Sequence, residues 1–285
     1  MSVTKTIVVT GASDGIGLEA ASRLAADGHH VVMVGRSPAK LGAAVARVQR
    51  ESPDARVDSF TCDFASLTEV RSLAADLLEA CPRIDVLISN AGTVFDKRTV
   101  TEDGYEATFQ VNHLAGFLLV ELLLDRILAS APARIVITSS IGHYSGTLDF
   151  DDLGFERGYQ IMRAYNRSKL ANALHARHLA TRLEGTGVTV NTLHPGAVAT
   201  SIWGGAPWFA RPVLAVAKKV LMVSPATGGA RLVYLATSPE VEGRTGGYYQ
   251  QDKLKEAAGR ARDPQLAKRL DEVSRELVGL DAATT

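Results

Sequence analysis

Only two cysteines, Cys62 and Cys81, occur in the 285 residues, and they lie apart without metal-ligand spacing. That is too few for a disulfide framework and fits a reducing compartment, with both thiols expected to be buried and inert. An excess of either charge is lacking too, because Lys plus Arg and Asp plus Glu number 31 each. No net field therefore draws nucleic acid or an anionic membrane surface from a distance, and any anion has to be gripped locally. No basic segment followed by an apolar core opens the chain, which passes from Met1 straight into a strand-like run, Lys5 to Thr10. The strongest apolar run, Leu114 to Leu124, carries Glu121 and falls short of the ~20 residues that cross a bilayer, so it reads as a buried helix. A cytoplasmic protein without nucleic-acid partner or transmembrane segment is expected. Internal repeats and low-complexity linkers are also missing, so residues 1–280 are expected as one domain and 281–285 as a frayed tail.

What is present is the composition of an ordinary globular protein, 46% hydrophobic and 22% charged. Short β-branched runs alternate with helical patterns. KTIVVT (Lys5–Thr10), a helix from about Gly15 to Asp27 and HVVMVG (His30–Gly35) form a βαβ unit. The alternation continues with strands near Arg56–Cys62, Ile84–Ser89, Arg134–Ser140, Val188–His194 and Gly246–Gln250. Long helices are predicted over Asp103–Ala129 and Tyr159–Glu184. The strands are apolar on both faces, which predicts an α/β fold: a single doubly wound parallel sheet of Rossmann type, with helices on both sides.

Directly after the first strand, TGASDGIG places Gly11, Gly15 and Gly17 on the turn into the first helix. Glycines there let the chain turn tightly and let a pyrophosphate approach the backbone, while the helix N-terminus supplies N–H groups and a positive dipole end. A bare tight connection is the plainer explanation for such a triplet. The TGxxxGxG spacing resembles the short-chain dehydrogenase/reductase family, and the resemblance extends over nearly the whole chain. CDF (Cys62–Phe64) is similar to the family's adenine-contacting strand end, with Asp63 at the acidic position. SNAG (Ser89–Gly92) resembles its NNAG, with Asn90, Ala91 and Gly92 matching and Ser89 departing. HPGAVAT (His194–Thr200) resembles the segment that embraces the nicotinamide carboxamide, at Pro195, Gly196, Val198 and Thr200. The resemblance implies an NAD(P)-binding catalytic domain, with Ser13, Asp14 and Ile16 of the first turn and Phe64 also at the cofactor.

An acidic residue ending the second strand would select NAD by repelling a 2′-phosphate. Gly35 stands there, followed by Arg36, whose guanidinium can pair with a phosphate dianion, and Ser37, a hydroxyl donor. NADP(H) is the expected cofactor. Asp14 stands where many NADP-dependent relatives carry a cation, and the simpler role for it is to cap the helix. The alternative for Arg36 is a solvated surface side chain.

Reducing a carbonyl requires a hydride and a proton. Tyr165 and Lys169 in YNRSK are four apart on a predicted helix and share one side of it. An ammonium beside the phenol is expected to lower the phenol's pKa toward neutrality. Ser140, at the end of a strand, can donate to the substrate oxygen. The resemblance assigns that role to Ser140 over Ser139, and gives Asn112 of VNHLAG a water-holding place behind the lysine. For Asn112 the competing role is a hydrogen bond within its own helix. His175 and His178 form HxxH with no further ligand cluster, so no metal is expected.

The segment Ser145–Met162 is longer than the family's usual spacing, as in relatives resembling retinol dehydrogenases. Beyond it, residues 201–223 carry Trp203, Trp208 and Phe209 among Gly and Pro, a candidate lid for a flat apolar ligand; a core helix or a membrane-touching flap are the alternatives. His143, close after Ser140, can border the same pocket; a plain surface histidine is the alternative. These features imply an NADPH-dependent carbonyl reductase or alcohol dehydrogenase acting on a lipophilic ketone, aldehyde or alcohol, including a polyketide-like metabolite. The competing class is a non-catalytic dinucleotide-binding redox sensor, and an epimerase or dehydratase on the same scaffold is a third. The two long helices offer a face for a homo-oligomer.

Overall fold

The structure is a computed structural model and describes residues 4–196 and 223–281. The alternation of strands and helices is realised as β1 (Thr6–Thr10), α1 (Gly15–Ala26), β2 (His30–Gly35), α2 (Pro38–Glu51), β3 (Val57–Thr61), α3 (Leu67–Ala80) and β4 (Val86–Ser89). There follow α4 (Ala107–Ala129), β5 (Ala133–Thr138), α5 (Ile161–Arg182), β6 (Val188–His194), α6 (Pro225–Thr237), β7 (Tyr248–Gln250), β8 (Lys253–Lys255) and α7 (Pro264–Leu277). The strands form one sheet in the order β3-β2-β1-β4-β5-β6-β7-β8.

All neighbours pair in parallel except β7 and β8, which are antiparallel. The edge therefore departs from the purely parallel sheet expected from sequence. Gln251 and Asp252 join the two strands with φ of 54° and 58°, the left-handed pair that a tight hairpin needs, which Asp tolerates and Gln does not advertise.

Alternation along each strand divides the core between two faces. Ile7, Val9, Val31 and Met33 pack with Leu24 of α1, Val48 of α2 and Leu232 of α6. Val8, Val32 and Val34 point the other way, toward Leu77 of α3, Phe117 of α4, Leu174 of α5 and Leu270 of α7. Burial on both sides explains the nearly continuous apolar strands.

α4 starts later than expected, at Ala107, because the Glu106 carboxylate accepts the first free amides, those of Thr108 and Phe109. Its second segment, Gln110–Leu114, is a π-turn. By length and composition α4 could cross a membrane, yet 78% of its most apolar window is buried in the protein, as in a core helix. α7 lies against α4 and α5. Arg182 of α5 pairs with Glu121 of α4 at 2.8 Å, and Arg275 of α7 reaches both Glu121 and Asp271. Part of the face offered to a second subunit is thus covered by this chain's own last helix.

Candidate active site

The carboxyl ends of β1, β4, β5 and β6 meet at one edge of the sheet, and the candidate residues gather there. After β1, Gly11 and Gly15 take φ of 67° and 57°, the left-handed region open to glycine at little cost. A Cβ on Gly17 would run into the Gly11 carbonyl oxygen, so the turn closes only without one. Asp14 caps α1, its carboxylate accepting from the Gly15 N–H at 2.7 Å, and the first α-type bond runs from Leu18 to the Asp14 carbonyl. The Ile16 and Gly17 amides precede that bond, so α1 itself offers them no acceptor. This backbone-lined cradle at a helix N-terminus fits a dinucleotide pyrophosphate.

The next turn is pinned to the first. The Thr10 hydroxyl accepts from the Asn90 and Ala91 amides at 2.9 and 3.0 Å, and the Asn90 side chain donates to the Thr10 carbonyl at 3.0 Å. Beside them, Gly35 abuts Ser13 and Arg36 projects exposed from the end of β2. The Ser37 hydroxyl caps α2 through the Lys40 amide. Asp63 accepts from the Ala65 amide at 3.0 Å, while Phe64 is turned into the core.

Deeper in the cleft, the Asn112 side chain occupies the π-turn and clamps Thr93, accepting from its amide at 2.7 Å and donating to its carbonyl at 3.0 Å. It also donates to the Ser168 hydroxyl. Both bonds to Thr93 reach outside α4, so the within-helix alternative does not apply. Lys169 is buried, its amine 3.3 Å from the Thr138 carbonyl and 5.6 Å from the centre of the Tyr165 ring. The adjacent serines divide their work. Ser139 donates to the Lys169 carbonyl at 2.8 Å, whereas Ser140 faces the Tyr165 hydroxyl. Gly142 lets the turn after Ser140 lie against α5, with the Tyr165 ring 3.5 Å from where a Cβ would stand.

The electrostatics differ from the expectation for Tyr165. Burial raises its pKa above the ordinary phenol value, and the Ser140 hydrogen bond opposes this only in part. Lys169 is not among the groups that shift the phenol, and burial brings its own amine down to about 8. In the protein alone the phenol is held protonated, and the ammonium next to it is easily discharged.

His143 is wholly buried rather than pocket-lining. Its Nδ1 lies 2.6 Å from the Ser140 carbonyl and its Nε2 accepts from the Ala258 amide at 3.1 Å, with Tyr144 and Tyr248 against the ring. Both nitrogens are engaged in holding the chain, so a substrate-facing role for the ring has no free polar atom. His175 is buried beside Phe117 and His113, and His178 lies 3.9 Å from Asp271. Among the described residues no group of three or more His, Cys, Asp or Glu is arranged to hold a metal. Pro195 and Gly196 end the described part of their turn. Val198, Thr200, Trp203, Trp208, Phe209 and nearly all of the expected lid lie outside the described residues.

Sequence reasoning missed two fixtures of the site. Thr10 is one, although a hydroxyl preceding the glycine turn was a readable signal. Arg231 of α6 is the other; it donates to the Pro195 carbonyl at 2.8 Å across 36 residues, and no local pattern announces it.

The family model for short chain dehydrogenases matches residues 5–207. Retinol dehydrogenase 14 of Mus musculus is 40% identical over 97% of this chain and 86% of its own length. A protein of Streptomyces sp. strain C5, provisionally named a daunorubicin C-13 ketoreductase, is 41% identical over 96% of this chain and 93% of its own. Among solved structures, a short chain dehydrogenase of Shigella flexneri 2a complexed with NADP superposes with a TM-score of 0.67 at 25% identity, covering 87% of this chain and 97% of that one.

Proposed function

Since this chain belongs to the short-chain dehydrogenase/reductase family of oxidoreductases, we propose that it is an NADPH-dependent reductase of lipophilic ketones or aldehydes, with Tyr165 as proton donor. The observation that carries this reading is the meeting of the Ser140 and Tyr165 hydroxyls in front of the buried Lys169 amine. Bound NADPH supplies the hydride. Ser140 holds the carbonyl oxygen, Tyr165 delivers a proton to it, and Lys169 with Asn112 anchors the helix and turn behind the phenol. Burial keeps the phenol in its protonated form, the form from which a carbonyl oxygen can be protonated.

Preference for NADPH is supported by Arg36 and Ser37 at the end of β2, an exposed guanidinium and a hydroxyl where a ribose 2′-phosphate would come to rest. A lipophilic substrate is supported by Ile141, Tyr144, Ile161 and Met162, large apolar side chains left exposed beside Ser140 and one turn ahead of Tyr165. The relatives' names, a retinol dehydrogenase and a daunorubicin C-13 ketoreductase, support an alcohol or ketone substrate, and a polyketide-like metabolite falls in that class. Two buried free cysteines agree with a reducing cytoplasm.

The test is NADPH oxidation, followed by absorbance, against a panel of aryl ketones and long-chain aldehydes, wild type beside Tyr165→Phe. Turnover that falls ~100-fold or more in the variant, with NADPH binding kept, is the expected result. Undiminished turnover in Tyr165→Phe, or preference for small hydrophilic ketones, would count against the reading; binding without turnover across the panel would point to a redox sensor.

A further inference from the structure

Behind Lys169 runs a line of buried polar groups that the proposed chemistry does not use. The Thr138 carbonyl, at the end of β5, receives two donors: the Lys169 amine at 3.3 Å and the Asn172 side-chain amide at 3.1 Å. The other end of that amide, Asn172 Oδ1, lies 3.3 Å from Nδ1 of His113, and Nε2 of His113 lies 2.9 Å from the Ser274 hydroxyl. Asn172, His113 and Ser274 sit on α5, α4 and α7 and are 6%, 1% and 0% exposed, so water does not compete for their bonds.

The direction of every bond in this line follows from its first member. A carbonyl only accepts, so Asn172 must turn its NH2 toward Thr138 and its oxygen toward His113. His113 Nδ1 then carries the proton, and Nε2 accepts from Ser274. Reversing any one member would set two acceptors or two donors face to face in a site where unpaired polar groups are costly. Burial also holds His113 neutral, with its pKa down to about 4, so the tautomer persists at the pH at which an enzyme works.

We propose that Asn172, His113 and Ser274 are positioning residues, a one-way hydrogen-bond chain that shares the Thr138 carbonyl with Lys169 and ties the place of the catalytic amine to the docking of α7. The inference rests on the reading of Tyr165 and Lys169 as the proton-transferring pair. Neutral groups surround the amine: the Thr138 carbonyl from β5, the Tyr165 ring from α5, and the Asn112 amide, which shares the space beside Gly92. His113 faces His175 of α5, with Arg182, His178 and Arg275 beyond, and the two arginines pair with Glu121 and Asp271. Losing the Asn172 donor leaves the carbonyl to Lys169 alone and draws the amine toward β5, away from the phenol. Phenolate then forms less readily.

The experiment follows kcat against pH for NADP-dependent oxidation of 1-phenylethanol by wild type, Ser274→Ala, Asn172→Leu and the double variant. In Asn172→Leu the rising limb is expected to move to higher pH and kcat at neutral pH to fall ~10-fold, with KM for NADP within ~2-fold of wild type. Ser274→Ala shifts the limb less. The double variant matches Asn172→Leu alone, because the hydroxyl acts only through the amide. Profiles that superimpose, or losses that add as independent packing defects do, overturn the proposal. If Asn172→Leu fails to fold, the limb of Ser274→Ala against wild type decides. If 1-phenylethanol is not turned over, thermal melts of Ser274→Ala with and without Lys169→Met decide, non-additive shifts supporting the chain and additive ones overturning it. Tyr165→Phe is run alongside: retained turnover there defeats the proposed function itself, whereas lost turnover with unchanged profiles in the chain variants defeats only this inference.

Discussion

The Lys169 amine stands 5.6 Å from the centre of the Tyr165 ring, one turn further along α5, and is itself buried to 4% exposure. The spacing of four residues puts both groups on the side of the helix that faces the sheet edge. Burial weighs on both in opposite senses, raising the phenol and lowering the amine.

That burial makes a stability prediction. With its pKa lowered from 10.5 to about 8, Lys169 in the folded protein binds fewer protons than in the unfolded chain between those two values. Stability contributed by this group therefore rises with pH across that window, and below it the full cost of a buried ammonium is present. Lys169→Met should raise the unfolding free energy at neutral pH, by as much as ~3 kcal/mol. The gain should shrink as pH climbs through 8 to 10.5, while turnover collapses. Urea unfolding at several pH values measures it; a gain that grows with pH would contradict the assignment.

In the proposed function, preference for NADPH over NADH rests on Arg36. Arg36→Leu removes the charge and forked donors from the end of β2, so KM for NADPH is expected to rise ~10- to 100-fold, with KM for NADH nearly unchanged. Steady-state kinetics with both dinucleotides provide the comparison. Equal losses for the two would show that the guanidinium does not meet the 2′-phosphate.

The glycine cradle has no slack at Gly17, where an added Cβ would meet the Gly11 carbonyl oxygen, a backbone atom that cannot swing aside. Gly17→Ala is expected to cost ~1–3 kcal/mol of stability and to weaken NADPH binding by more than ~10-fold. Calorimetric titration and melting curves report the two effects separately.

His143 joins two stretches of chain far apart in sequence, the Ser140 turn and Ala258. His143→Leu leaves the Ser140 carbonyl and the Ala258 amide without their ring partner and should cost ~2–4 kcal/mol of stability. Because the ring serves Ser140 rather than the substrate, kcat should fall more than KM rises. A change confined to KM would return His143 to the pocket.

The patterns that sequence alone determined are short-range. TGASDGIG after a β-branched run, the serine pair closing β5 and YNRSK on a helix each bind their meaning to residues a few positions apart, where backbone geometry dictates what can meet. Helix periodicity and strands apolar on both faces, taken in alternation along the chain, likewise settled a layered α/β sheet, because such strands must be covered on both sides. Tertiary structure decided whatever depends on partners far along the chain. The His113–Ser274 contact spans 161 residues and the His143–Ala258 contact 115, and no local spacing encodes either. The acidity of Tyr165 belongs to the same class. Spacing puts an amine one turn from the phenol, but the pKa answers to how much water the surrounding elements exclude, and here that exclusion outweighs the Ser140 hydrogen bond.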